Sequence, residues 1–455
     1  MRITRSRRTA AVAAVVTGAL LLAACGGPDT SGGNGSEDGG NATGDVADGG
    51  DAGSDGIDWS EVEPADSIVF ATNHPGGSAD VEAELIEQFT EETGIEVEVV
   101  TSGANYEETQ QWFLTGGGSG ADVIVLSDAT WFLPYLNDML VPADDVLEAA
   151  EVDVSGYVEA LYEDYLYEGY HYGVPYARST PLFYYNVEFY EELGIDSPPE
   201  TWEEVAEISQ QIVDAGLAQS GFAFPPQDQY PAWALANLVW GEGGGWSDEW
   251  DFSILTSDAT VEALEFAQSG VGEWANVAAT AQQDDFASGV AGQTIQSTGS
   301  LGGILEAADF EVGTAFLPTG AGGDENVVPT GGAGLMIASA SSPDVQLAAA
   351  MFAGHMTSAE SQATFSAATG YVPSHQDADM SEVYADNPLF ETAVDQLERT
   401  RVQDFARLFL PGGDLELAQT LQQILTSDVD VRGEMERVEA QFEDLYDQEL
   451  ASELD

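Results

Sequence analysis

"SIVFATNHPGGSADVEAELIEQFTEETGIEVEVV", residues 67–100, decides the fold class. "SIVFAT" is a short apolar run of strand length, and "IEVEVV" alternates with the period of two that a half-buried strand requires. Between them, Val81, Leu85, Ile86 and Phe89 fall on one face at helical spacing, and Gly94 supplies the stop. The pattern continues outward. "NYEETQQWFLTGGGSG" reads as a second helix with a glycine-rich end, and "ADVIVL" (121–126) as a fully buried strand. Strand, helix, strand, helix, strand implies an α/β unit with a largely parallel, doubly wound sheet. Ligands of such sheets sit beyond the carboxyl ends of the strands, here "ATNHPGG" (71–77), "TSGANY" (101–106) and "SDATW" (127–131).

Further along, "PETWEEVAEISQQIVDAG" (199–216) opens a helix, and a Trp- and Gly-rich segment follows with Trp233, Trp240, Trp246 and Trp250. "QDDFASGVAGQTIQSTGSLGGIL" (283–305) reads as helix, strand and glycine-bounded turn, and "TGGAGLMIA" (330–338) as another strand. From residue 388 the chain is mostly helical. A length of 455 residues suits two lobes better than one oversized sheet.

The charge balance is extreme. Ten arginines and no lysine face 81 acids, a net charge of −71. Such a surface does not attract nucleic acid or an anionic bilayer. It suits high salt, where the Debye length falls to roughly 3 Å at 1 M. The missing lysine excludes a phosphate-cradling P-loop, Schiff-base chemistry and a protein kinase. One cysteine excludes disulfides and Cys-ligated zinc in the body of the protein. No HExxH or GxSxG motif is present, and neither a metal nor a cofactor is expected.

Residues 1–24 read as a signal peptide, with Arg2, Arg5, Arg7 and Arg8 ahead of an apolar run that falls short of the about 18–20 residues a membrane span needs. The "LAAC" ending resembles a bacterial lipobox, which implies cleavage before Cys25 and lipidation of its sulfur. Residues 25–65, rich in Gly, Asp, Ser, Asn and Ala, read as a disordered acidic tether. The expected location is the extracytoplasmic face of a bacterial cell membrane.

The opening stretch, together with "PYARSTPLFYYNVEFYEELGIDSPPETWEEV" (175–205), is similar to family-1 extracellular solute-binding proteins, which feed ABC importers. The resemblance runs from residue 67 to the C-terminal helices. It implies the two-lobed periplasmic-binding-protein fold, each lobe a doubly wound sheet, with the ligand cleft between lobes. By this analogy lobe 1 is 66–177 plus 328–372, and lobe 2 is 178–327 plus 373–455.

Within the family, the segments most resemble glycerol-3-phosphate-binding members. "GANYEET" offers Tyr106, "RSTPLFYYN" Ser179, "STGSLGGI" Ser300, "GGAGLMI" Gly332 and "TGYVPS" Tyr371. "FARLFLPGG" places Arg407 at the position of a phosphate-binding arginine, and "LSDAT" places Asp128 at that of an acid holding glycerol hydroxyls. Trp233 and Trp240 stand for the tryptophans of the family's pocket, on a looser alignment. From the residues themselves, Arg178 is a cation retained at a lobe crossing in a chain otherwise poor in them, and His74 ends the first strand. Arg178 reads equally well as the partner of a neighbouring acid, and His74 as a cap. Arg399 and Arg401 read as structural.

The function this implies is a monomeric, lipid-anchored receptor that closes on a small polar solute and delivers it to the permease subunits of an ABC importer. The preferred solute is glycerol-3-phosphate or a glycerophosphodiester, and the alternative is a sugar or oligosaccharide stacked on tryptophan. A secreted glycoside hydrolase using paired carboxylates is the reading from a different class.

Overall fold

In the computed structural model, which describes residues 57–116, 120–320, 327–451 and 454, the opening stretch folds as its pattern predicts. Strands β1 (Ser67–Thr72) and β2 (Glu96–Thr101) pair in parallel along their whole length, joined by the helix Ala79–Thr93. That helix buries Val81, Leu85 and Phe89 and ends at Gly94, whose φ of 79° lets its N–H cap the Thr90 carbonyl. β3 (Val123–Ser127), buried at every residue, pairs in parallel with β1.

The remaining strands of the two sheets are β4 (Val174–Ser179), β5 (Pro181–Asn186), β6 (Ser220–Phe224), β7 (Ala275–Val277), β8 (Ala291–Ser297), β9 (Val312–Ala315) and β10 (Gly331–Ile337). The first sheet has the order β2-β1-β3-β10-β4 and the second β9-β5-β8-β6-β7. Both are mixed. β10 runs antiparallel to β3 and β4, and β5 runs antiparallel to β8 and β9, while β8 and β6 are parallel. The doubly wound pattern therefore holds only for the parallel half of each sheet. A strand buried on both faces looks the same in sequence whichever way it runs, so direction was not legible there.

A single residue, Thr180, separates β4 in the first sheet from β5 in the second. The chain returns to the first sheet as β10, with Gly332 opposite Arg178, and Val372 N donates to the Arg178 carbonyl at 2.9 Å. Three stretches of chain thus meet at Arg178, and the crossing between sheets is narrow. Helices Gly413–Thr426 and Val431–Leu445 close the chain against the tryptophan-rich segment, where Trp246 is fully buried.

Residues 57–65, which composition assigns to the tether, are instead ordered. Trp59 packs against the core of the first sheet, and Ala65 N donates to the Asp344 carbonyl at 2.9 Å. One large aromatic side chain and one long-range backbone bond outweigh the polar composition around them. The signal peptide, Cys25 and the rest of the tether lie outside the described residues. Among the described residues no helix is long and apolar enough to cross a membrane.

Candidate functional site

The strand ends build the site. After β3, Thr130 Oγ1 accepts from Ser127 N at 2.8 Å, and Asp128 N donates to the Gly332 carbonyl at 3.0 Å. This turn aims the Asp128 carboxylate off the end of the sheet. After β2, Asn105 caps the helix Tyr106–Leu114 by accepting from Glu108 N at 2.8 Å, which sets Tyr106 at its first turn. β4 ends at Ser179, and β8 runs into the turn Thr298–Ser300 at the start of the helix Leu301–Ala307. Trp233 is oriented by its indole N–H, which donates to the Thr330 carbonyl at 2.8 Å. Arg407 comes from the short helix Phe405–Leu408.

These elements surround a cavity of about 240 Å³. Its walls include Tyr106, Asp128, Ser179, Trp233, Ser300, Gly332, Tyr371 and Arg407. The structure thus brings together eight residues taken from eight separate stretches of sequence. The hydroxyls of Tyr106 and Tyr371 lie 3.3 Å apart. Burial, and then each other's proximity, hold the Tyr106 phenol well above its ordinary pKa, so it stays a neutral hydrogen-bonding group.

Three sequence-selected residues lie elsewhere. Arg178 is fully buried, with its guanidinium on the Asp164 carboxylate and the Tyr165 hydroxyl. The pairing with a neighbouring acid therefore accounts for it. His74 places Nδ1 on Glu82, which also accepts from Thr72, Ser78 and Tyr176. Trp240 donates its indole N–H to Asp404 at 3.0 Å and stacks under Arg401 at 4.0 Å. Arg401 also pairs with Asp404, and Arg399 lies over the Phe316 ring.

The electrostatics turn on Arg407, among the described residues the only cationic side chain in the cavity wall. Its Nη1 lies 3.2 Å from Asp128 Oδ2 and its Nε 2.8 Å from Asp414 Oδ1. The second contact is close in charge but poorly aligned, and neither atom makes a directed hydrogen bond. Burial works against the guanidinium charge, and Asp414 and Asp128 more than offset it. Gln403 Nε2 donates to Asp128 at 2.7 Å and also to the Thr330 carbonyl. Burial raises the pKa of Asp414, and likewise that of Glu107.

Sequence reasoning missed Glu107, Asp414, Tyr230 and Gln296 in this wall. Glu107 follows Tyr106 directly, and that adjacency was the one available signal. Nothing marks Asp414 among 81 acids. On the far side of Arg407, Glu107 and Asp414, a second chamber of about 470 Å³ opens, walled by Phe132, Phe409, Asp228 and Leu415. Among the described residues no cluster of His, Cys, Asp or Glu could hold a metal ion.

Two mixed sheets joined by closely set crossing strands, with a half-open cavity carrying several hydroxyls at their strand ends, define a two-lobed solute-binding architecture. Residues 84–392 match the family model described as bacterial extracellular solute-binding protein, and the chain belongs to that family. The crystal structure of UgpB from Mycobacterium tuberculosis in complex with glycerophosphocholine superposes with a TM-score of 0.79 at 35% identity, over 85% of this chain and 100% of that one. The sn-glycerol-3-phosphate-binding periplasmic protein UgpB of Brucella melitensis is 27% identical over 278 residues, which are 57% of this chain and 63% of that protein. The match thus spans less than two thirds of that relative's length. The GacH receptor of Streptomyces glaucescens, solved unliganded and with acarbose, shares the fold at a TM-score of 0.71 and 19% identity, over 84% of this chain and 98% of that one. A solute-binding protein makes and breaks no bond, so the hydrolase reading falls with the family assignment.

Proposed function

We propose that the protein is the extracytoplasmic receptor of an ABC importer and encloses a glycerol phosphoester between its lobes. The observation that carries this reading is Arg407, a lone guanidinium set in a wall of hydroxyls from Tyr106, Ser179, Ser300 and Tyr371. A planar, permanently charged fork suits a phosphate, and the surrounding hydroxyls suit phosphate and glycerol oxygens. The phosphocholine ester held by the mycobacterial relative and the name of the Brucella relative support the same class.

The charge balance favours the diester over the monoester. Arg407 already faces Asp128, Asp414 and Glu107. A phosphodiester adds one negative charge to that group, whereas a monoester adds about 1.5–2 at neutral pH. A carbohydrate is the second reading, favoured by Trp233 in the wall and by Asp128 as an acceptor for hydroxyls. The protein then acts as a monomer, delivers its solute to permease subunits and is held to the membrane through lipid on Cys25.

Calorimetric titration of the purified protein with glycerophosphocholine, sn-glycerol-3-phosphate and maltotriose tests this. The expected order is diester, then monoester, with no heat from the sugar. Binding of maltotriose alone overturns the phosphoester reading.

A further inference from the structure

Around Arg407 the chain has set more negative charge than one guanidinium can neutralise. Asp128 contacts it from the end of β3 and Asp414 from the start of the helix Gly413–Thr426. Glu107, on the helix Tyr106–Leu114, faces the same group, and Asp228 lines the adjoining chamber. Tyr230 and Tyr371 complete the surroundings as neutral phenols. The neighbouring cation, Arg178, is taken by Asp164. On the Asp414 helix, Glu416 turns to Arg437, and Arg432 of the following helix goes to Asp258. Among the described residues no second cation is therefore at hand.

An anion that enters must share Arg407 with carboxylates already there. The two carboxylates are not equally placed to give it up. Asp128 also accepts from Gln403 Nε2 at 2.7 Å and Ala129 N at 2.9 Å. It keeps these donors when the guanidinium turns away. Asp414 has the ion pair with Arg407 as its side-chain contact, and that pair lacks hydrogen-bond geometry at both buried atoms. The Nε edge of the fork is therefore the one that a phosphate oxygen captures most easily. Asp414, partly exposed in the empty protein, would then stand unpaired beside an anion as the site closes, and neutralisation is the least costly escape from that.

We propose that the protein takes up one proton from solvent, on Asp414, when it closes on a phosphodiester. The inference rests on the phosphoester reading above and adds a regulation to that site. The solute is held more tightly in acid surroundings and released more readily in alkaline ones. Burial already holds the Asp414 carboxyl above its ordinary pKa in the empty protein, and loss of Arg407 to the ligand moves it further the same way. The complex therefore binds more protons than the free protein. Affinity rises as pH falls through the window between the two pKa values, by up to about tenfold per pH unit for one full proton.

Glycerophosphocholine is the suitable probe, because a diester lacks the second ionisation of a monoester near pH ~6 and brings no titration of its own. Titrating the protein with it in buffers of different ionisation enthalpy counts the protons taken up. The expected result is uptake approaching one proton at some pH between about 5 and 8, with affinity falling as pH rises. Asp414→Asn should bind with no uptake, show a flat pH profile, and exceed the parent's affinity at the alkaline end. Binding with no proton uptake across that range overturns the inference and leaves the phosphoester reading standing. Uptake that persists in Asp414→Asn also overturns it. Absence of binding at every pH overturns the phosphoester reading itself, and the inference with it.

Discussion

The Asp128 carboxylate lies 3.2 Å from the guanidinium of Arg407, 279 residues away in sequence. One closes a strand of the first sheet and the other belongs to the C-terminal helical region. The pair holds the end of the first sheet to the C-terminal helical region at the cavity wall. Any anion drawn to Arg407 competes with a carboxylate that the fold holds beside it.

Arg407→Ala should therefore act twice. Hydrogen bonds to charged groups contribute about 1.5–3 kcal/mol. At about 1.4 kcal/mol per decade, a glycerophosphodiester should bind roughly 10- to 150-fold more weakly. The ligand-free protein should also lose stability at neutral pH, by up to about 3 kcal/mol, because buried Asp128 and partly exposed Asp414 lose their counter-charge. Calorimetry and thermal melts read the two effects separately. Parent-like diester affinity in the variant would remove the main support for a phosphate.

Gly332 should not tolerate a side chain. Its φ is 95°, and a Cβ there would collide with the Ala177 carbonyl oxygen. Its own carbonyl also fixes Asp128 N. Gly332→Ala should destabilise the protein by about 1–3 kcal/mol, the usual range for strain stored at a special backbone position. It should weaken ligand binding as well, by displacing Asp128. A variant that melts with the parent would show that the crossing strand is more pliant than its geometry implies.

Asp164 gives a pH dependence opposite to that of ordinary surface acids. Burial pushes its pKa up to about 7, against the pull of Arg178. A folded pKa above the unfolded one means that the folded state binds more protons. This contribution is therefore fully present below the unfolded carboxylate range, near ~3.9, and is lost as pH rises toward 7. Melting temperature should fall between about pH 4 and 7, and the slope should flatten in Asp164→Asn. Equal slopes in parent and variant would place the dependence in the general repulsion among acids.

Salt should stabilise the fold. After residue 25 the chain carries six arginines against 81 acids, and repulsion among exposed carboxylates is screened as the Debye length shortens to roughly 3 Å at 1 M. Melting temperature should climb steadily from low to molar sodium chloride. A flat curve would mean that the acids are too well spaced to repel one another.

Cys25→Ser tests the anchor. If the sulfur carries lipid, the variant should be found in the medium or remain unprocessed, whereas the parent fractionates with membranes. A variant that stays in the membrane fraction and is processed normally counts against lipidation.

The class of fold, and eight residues of the cavity wall, were legible in the sequence. Residues 67–100 carry two periodicities with a glycine stop between them, and those are local properties that survive without tertiary context. Tyr106, Ser179, Ser300, Gly332, Tyr371 and Arg407 stand in short segments whose resemblance to one family could be read directly. The direction of β5 and β10 came only with the folded molecule, because burial on both faces erases the pattern that would show it. Tertiary packing also decided which cation faces the cavity. Arg178 and Arg407 are both arginines beside aromatic residues, and both are buried. Asp164, 14 residues before Arg178, folds back to occupy one of them, and the strand ends turn the other into the cavity. Which of 81 acids meets which of a few arginines depends on long-range packing, and charge alone carries no address for that.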